Sequence, residues 1–289
     1  MGSFATLITP ESLRGHVGRP GWAILDCRFD LLRPAWGPAV YLEGHIPGAI
    51  YAHLEKDLSA PQSGTNGRHP LPPDLILAAV FSRWGIDRQT QVVAYDDNGG
   101  AYAARAWWCL RYLGHGAAAV LDGGLPAWTD AGLPLRGGEE TRPPADFLTA
   151  PRPGLRIEAA EVAEKVGTSR LRLIDARAPE RYRGDEEPID PVAGHIPGAV
   201  NRPWQSNLDA RGRFRPAAEL RQAYLALLGD QPPENAAVYC GSGVTACHDL
   251  LALTHAGLDG ARLYPGSWSE WCSNAARPVA TGPEPGGAG

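Results

Sequence analysis

Short apolar runs that stop at a polar residue alternate along this chain with stretches whose apolar residues recur every three or four positions. Trp22-Ala23-Ile24-Leu25-Asp26 and Leu171-Arg172-Leu173-Ile174-Asp175 have strand length and end in aspartate. Gln91 to Tyr95 and Ala236 to Tyr239 are nearly all apolar, the pattern of strands buried on both faces. Ahead of the second of these, Leu220, Tyr224, Leu227 and Leu228 fall on one helical face and Gly229 supplies a stop. Ile76, Val80 and Trp84, followed by Gly85, predict the same in the first half. Residues 101–113 and 244–255 predict the helices that follow the buried strands. Alternating β and α predicts an α/β fold of mainly parallel sheets flanked by helices. In such sheets ligands bind beyond the carboxyl ends of the strands. Chemistry is therefore expected in the turns after Asp26, Asp96, Asp175 and Cys240.

The pattern occurs twice. Gly44-His45-Ile46-Pro47-Gly48-Ala49 returns as Gly194-His195-Ile196-Pro197-Gly198-Ala199, 150 residues later. Ile24-Leu25-Asp26-Cys27-Arg28 returns as Leu173-Ile174-Asp175-Ala176-Arg177. Asp96 and Cys240 follow Gly85 and Gly229 at equal distances, and Leu121-Asp122-Gly123-Gly124 parallels Tyr264-Pro265-Gly266-Ser267. Such ordered anchors at nearly one offset mark an internal duplication. A segment rich in Pro, Gly and charge, with little periodicity, separates the copies. The expected organisation is a first domain over 1–136, a linker over 137–154 and a second domain over 155–289.

A length of 289 residues suits two domains, and Gly and Pro, 35 and 27 in number, imply many tight connections. The net charge of −5 offers no basic footprint, so nucleic acid is not an expected partner. No apolar run reaches the ~18 residues of a membrane span. The opening MGSFATLITP has no basic region followed by an apolar core, so neither membrane nor signal peptide is expected. The five cysteines include no CxxC pair, which argues against a metal site and fits a reducing cytoplasm.

One cysteine stands apart. Cys240 ends a buried strand and opens Gly241-Ser242-Gly243-Val244-Thr245, a glycine-rich turn leading into a helix. Such a turn aims successive amide N–H groups at one point, a nest for an anion. The helix N-terminus adds about half a positive charge. Both favour the thiolate, which is the nucleophilic form. The first copy keeps the strand and turn but carries Asp96 in place of the thiol. A catalytic second copy with a degenerate first copy accounts for this pattern.

Taken together, the paired Asp-x-Arg strands, both GHIPGA motifs, CGSGVTAC and YPGSWSEW resemble a tandem rhodanese-domain sulfurtransferase over about residues 5–280. The resemblance implies an inactive first domain, an active second domain and a cysteine persulfide intermediate, with no metal or organic cofactor. The uncharged loop Gly241–Thr245 resembles those of 3-mercaptopyruvate sulfurtransferases rather than the cationic loops of thiosulfate enzymes. Gly241, Gly243, Val244 and Thr245 are then the substrate-facing loop, and Arg181 the ligand of the donor carboxylate, a task suited to its planar fork. The family's second substrate arginine aligns with Ile189, a departure. His69, in Arg68-His69-Pro70-Leu71-Pro72, matches a relay position with Ser242 and Glu55. His69 and Glu55 precede the linker and so fall in the first copy. His45, His195, Asp26, Arg28, Asp175 and Arg177 are shared with the copy lacking a thiol and are expected to be structural. Cys27, Cys109, Cys247 and Cys272 are read as packing residues.

The expected activity is transfer of sulfane sulfur from 3-mercaptopyruvate through Cys240 to a thiol such as thioredoxin, or to cyanide. Thiosulfate as donor is the alternative, and a non-catalytic rhodanese-type binding module the alternative of another class. A cysteine phosphatase would need arginine six residues after the cysteine, where this chain has Ala246.

Overall fold

The computed structural model describes residues 3–168 and 170–286. The chain forms two compact units. The first comprises Met1–Ala60, Pro72–Arg152 and Asp209–Phe214; the second comprises Pro61–Leu71, Pro153–Leu208 and Arg215–Gly289. Neither unit is a continuous stretch of sequence. The segment 61–71 folds with the second unit, which moves His69 out of the copy that contains it in sequence.

The first unit holds β1 (Leu7–Ile8), β2 (Trp22–Asp26), β3 (Ala49–Tyr51), β4 (Gln91–Tyr95) and β5 (Ala118–Leu121). These form a parallel sheet in the order β1-β5-β4-β2-β3. In the second unit, β6 (Arg172–Asp175), β7 (Val200–Asn201), β8 (Ala236–Tyr239) and β9 (Arg262–Leu263) pair in the order β7-β6-β8-β9, again all parallel. The second sheet thus repeats the β5-β4-β2-β3 part of the first, read in reverse. Strands β4 and β8 lie inside their sheets and are buried throughout, as their apolar composition requires.

Helices cover the sheets. Leu220, Tyr224 and Leu228 of the helix Ala217–Leu228 point inward, and Gly229 ends it at φ 60°. The helix Asp74–Arg83 departs from the expected face. Ile76 is exposed, and the core face is Leu77, Val80 and Phe81, with Trp84 buried just beyond the last turn. The buried face centres on Leu77, Val80, Phe81 and Trp84, and Ile76, about 100° around the helix from Leu77, falls outside it. The segment after Arg136 lacks regular structure through residue 152 yet is not free. Ala145 N–H donates to Ser82 O, Ala150 N–H to Leu113 O, and Phe147 is buried against Phe81. It runs as a strap along the first unit.

Each unit has its own core. Ile24, Ile46, Val93, Tyr95, Leu121 and Trp128 pack in the first. Leu173, Ile196, Tyr239, Tyr264, Trp268 and Trp271 pack in the second. Each large side chain so buried contributes roughly 1.5–3 kcal/mol relative to exposure. Among the described residues no helix is long and apolar enough to cross a membrane.

Candidate active site

The shared motifs form the frame on which the turns are hung. Arg28 forks onto Asp26 (Nη2–Oδ2 2.6 Å) and reaches Gly44 O at 2.7 Å. Arg177 does the same with Asp175 (2.7 Å) and Gly194 O (2.6 Å). Each pair ties the end of a central strand to the GHIPGA turn of its own unit. His45 and His195 are fully buried, stacked on Tyr41 and Tyr182, with Nδ1 at 2.8 Å from the carbonyl of the same tyrosine. These groups are structural, as their presence in both copies led us to expect.

Cys240 sits immediately after β8 and is buried. Gly243 N–H donates to its Sγ at 3.2 Å. Gly243 has φ +75°, and a Cβ there would lie 2.3 Å from Pro265 O, so only glycine fits. The helix Ala246–His255 starts directly after Thr245 and directs its positive end at the turn. Val244 is buried beside it, and Cys247, also fully buried, donates its S–H to Gly243 O. Burial pushes up the thiols of Cys27, Cys109 and Cys272, the last to about 11 with help from the Asp190 charge, which suits inert packing residues.

The first unit carries the same turn with a carboxyl group inside it. There Asp96 takes the place of Cys240 and folds its carboxyl group back into the turn. Asn98 and Gly100 N–H donate to Oδ1 at 2.9 and 2.8 Å, and Tyr102 and Ala103 N–H to Oδ2 at 2.8 and 2.9 Å. Burial raises the Asp96 pKa above the usual carboxylate range, and the four amide donors oppose that rise. The amide nest of the first unit is filled by its own side chain. In the second unit the shorter cysteine side chain takes one amide of the turn, Gly243 N–H, on its sulfur.

A residue the sequence reading passed over holds Cys240 from behind. Ser267 Oγ accepts the Cys240 N–H at 3.1 Å and donates to Tyr264 O at 2.9 Å. Ser267 is the one non-glycine residue with positive φ (55°) among the described residues. Its counterpart in the first copy is Gly124, at φ 58°. Serine here accepts left-handed strain that glycine avoids, and in exchange provides a hydroxyl under the cysteine. The signal was present in the alignment of the two copies, as Gly124 against Ser267. Trp268 N–H to Cys240 O (3.0 Å) and Ser269 N–H to Gly241 O (2.9 Å) complete the seat.

Ser242 and His69 meet as expected: His69 Nδ1 lies 2.7 Å from Ser242 Oγ, and both residues are buried. His69 arrives on the 61–71 segment, which is fastened by Arg68 N–H to Ser269 Oγ at 3.0 Å. Glu55 lies in the first unit, exposed on the short helix Leu54–Asp57.

Arg181, on the helix Pro179–Arg183, lies beside Gly241 but is already engaged by carboxylates. Its Nη2 contacts Glu187 Oε1 at 2.6 Å and Asp190 Oδ2 at 3.1 Å, and its Nε contacts Glu187 Oε2 at 3.2 Å. Asp190 also takes Arg68 Nη1 at 2.5 Å. Ile189, the position aligned with a second arginine, is 40% exposed. The Glu187–Asp190 bracket was not anticipated. Its only trace in the sequence is the acidic run around Ile189.

Residues 9–131 and 158–274 each match the rhodanese-like domain. A Pseudomonas aeruginosa protein named "Probable 3-mercaptopyruvate sulfurtransferase" is 51% identical over 282 residues, 97% of this chain and 99% of that one. The thiosulfate sulfurtransferase of Bos taurus is 36% identical over 274 residues, 92% of this chain and 90% of its own length. The crystal structure of SseA from Escherichia coli, a 3-mercaptopyruvate sulfotransferase of rhodanese fold, superposes with a TM-score of 0.79 at 31% identity. It covers 92% of this chain and 99% of that one.

Proposed function

The chain belongs to the rhodanese family of sulfurtransferases, and from that premise we propose that it moves sulfane sulfur from 3-mercaptopyruvate, through a persulfide on Cys240, to a thiol or cyanide. The observation that carries this reading is the turn after Cys240. It aims Gly243 N–H at the sulfur, in a loop whose twin holds a carboxyl group on four amides.

In the first step the Cys240 thiolate attacks the sulfur of the donor. The S–S bond forms as the C–S bond breaks, and the electron pair leaves on the carbon as pyruvate enolate. The Ser242–His69 pair, 2.7 Å apart, is placed to deliver the proton that turns the enolate into pyruvate. Arg181 holds the donor carboxylate. In the second step cyanide or a thiolate, such as that of thioredoxin, takes the outer sulfur and restores the Cys240 thiolate. This is covalent, two-step catalysis. The five cysteines, all free, support a reducing compartment, and we place the enzyme in the cytoplasm.

Thiosulfate as donor is favoured by one specific observation. The loop itself lacks cations, but a Cβ at Gly241 would lie 2.9 Å from Arg68 Nη2 and 3.4 Å from Arg181 Nη1, so positive charge does reach it. Thiocyanate formation from each donor, with wild type and Cys240→Ser side by side, tests both readings. A higher kcat/KM with 3-mercaptopyruvate and no turnover by Cys240→Ser is expected. Preference for thiosulfate transfers the conclusion to the second donor. Activity surviving in Cys240→Ser would overturn the mechanism.

A further inference from the structure

Arg68 brings its guanidinium group to the Cys240 turn. Its Nη1 is committed to Asp190, but its Nε is buried with no hydrogen-bond partner among the described residues. Its Nη2 lies against the Cα of Gly241, next to the nucleophile, where a methyl group would approach it to 2.9 Å. Arg181 Nη1 faces the same point. Asp190 holds both guanidinium groups, Arg68 through Oδ1 and Arg181 through Oδ2. Glu187 fixes the far edge of Arg181. The two forks are therefore oriented by buried carboxylates and turn their remaining N–H groups toward one place beside the Cys240 turn. Two oriented forks suit one small oxyanion better than one fork does.

We propose that Arg68 is a substrate-binding residue which, with Arg181, grips the anionic end of the sulfur donor across Gly241. This rests on the sulfur-transfer reading above and names the residue that supplies the cation missing at Ile189. The cation comes from a segment 121 residues earlier in the sequence, folded into the second unit by its contacts with Asp190 and Ser269. Gly241 is needed because any side chain would occupy the space in which the donor's oxygens meet both forks.

The test compares wild type, Arg68→Gln, Arg68→Lys and Arg181→Gln with 3-mercaptopyruvate and with thiosulfate. Cyanide attack on persulfide-loaded enzyme is followed separately. Arg68→Gln is expected to lower kcat/KM for donor by 10- to 100-fold, mainly through KM, with Arg68→Lys recovering part of the loss. The cyanide step, in which no donor anion is bound, should stay within about threefold of wild type. A loss seen with mercaptopyruvate alone identifies a carboxylate site, and an equal loss with thiosulfate a general oxyanion site; both support the proposal. Unchanged kcat/KM in Arg68→Gln would overturn it. Equal slowing of both half-reactions, with no recovery by Arg68→Lys, would also overturn it by marking a purely structural residue. A wild type inactive with both donors overturns the sulfur-transfer reading and the proposal together; an active wild type with an unaffected Arg68→Gln overturns the proposal alone.

Discussion

Replacing Ser267 separates two effects that the structure superimposes. The hydroxyl accepts the buried Cys240 N–H, and the backbone at φ 55° is strained for any residue with a Cβ. Ser267→Ala keeps the strain and removes the hydroxyl. A buried amide left without an acceptor costs about 1–3 kcal/mol. Ser267→Gly loses the same hydrogen bond but relieves left-handed strain of roughly 1–2 kcal/mol. Glycine gives back about 0.4–1 kcal/mol through the freedom it adds to the unfolded chain. The alanine variant is therefore expected to be destabilised by about 2 kcal/mol, and the glycine variant by about 0.5–1 kcal/mol less. Urea unfolding followed by tryptophan fluorescence reads the difference, since Trp268 and Trp271 are buried in the same unit. Both variants should lose about tenfold in kcat/KM, close to 1.4 kcal/mol, because both release the Cys240 amide. Alanine as stable as glycine would refute the strain argument. Full activity in both would refute the positioning role of the hydroxyl.

Two further outcomes follow from the same unit. Gly243→Ala places a methyl group 2.3 Å from Pro265 O and must displace the amide that faces Cys240, so kcat/KM should fall on the order of 100-fold while circular dichroism stays native. Asp249, buried on the helix Ala246–His255 and bonded by Asn207 Nδ2 at 2.6 Å, has its carboxyl pushed up from 3.8 to about 7 by burial. Between those values the folded chain holds a proton that the unfolded chain has released. Stability should therefore fall as pH rises from about 4 to 7 and level off above, by on the order of 4 kcal/mol from this group. Asp249→Asn cannot ionise, so its stability relative to wild type should be greater at pH 8 than at pH 5 in urea titrations; an equal difference at both would refute the assignment.

Much of this protein was legible in one dimension because it depends on local rules. Apolar runs ending in Asp26, Asp96, Asp175 and Cys240 make strands, since only burial on two faces accommodates such runs. The duplication identified Cys240 as the group that differs within a shared frame. It also marked His45 and His195 as turn residues, and both stack on a tyrosine of their own unit. The pairing of Asp26 with Arg28 and of Asp175 with Arg177 followed from two-residue spacing at a strand end. Periodicity was less reliable at the edge of a helical face: Val80 and Trp84 are buried as their spacing predicts, but the face turns toward Leu77 and Phe81 and leaves Ile76 in solvent.

What periodicity could not carry is the origin of the groups around the sulfur. Strand and helix patterns report contacts between near neighbours in sequence, whereas the Cys240 turn is furnished by residues far along the chain. His69 and Arg68 lie on an irregular segment whose hydrogen bonds go to Ser242, Ser269 and Asp190, so it folds with the second unit although it belongs to the first copy in sequence. Ser267 tolerates its strained conformation only because its hydroxyl bridges two backbone groups that the fold brings together. The chain by itself determined two α/β copies and singled out one cysteine. Tertiary structure decided which charges and which hydroxyls surround that cysteine, because a side chain's partners depend on where the backbone returns, and local sequence does not encode that return.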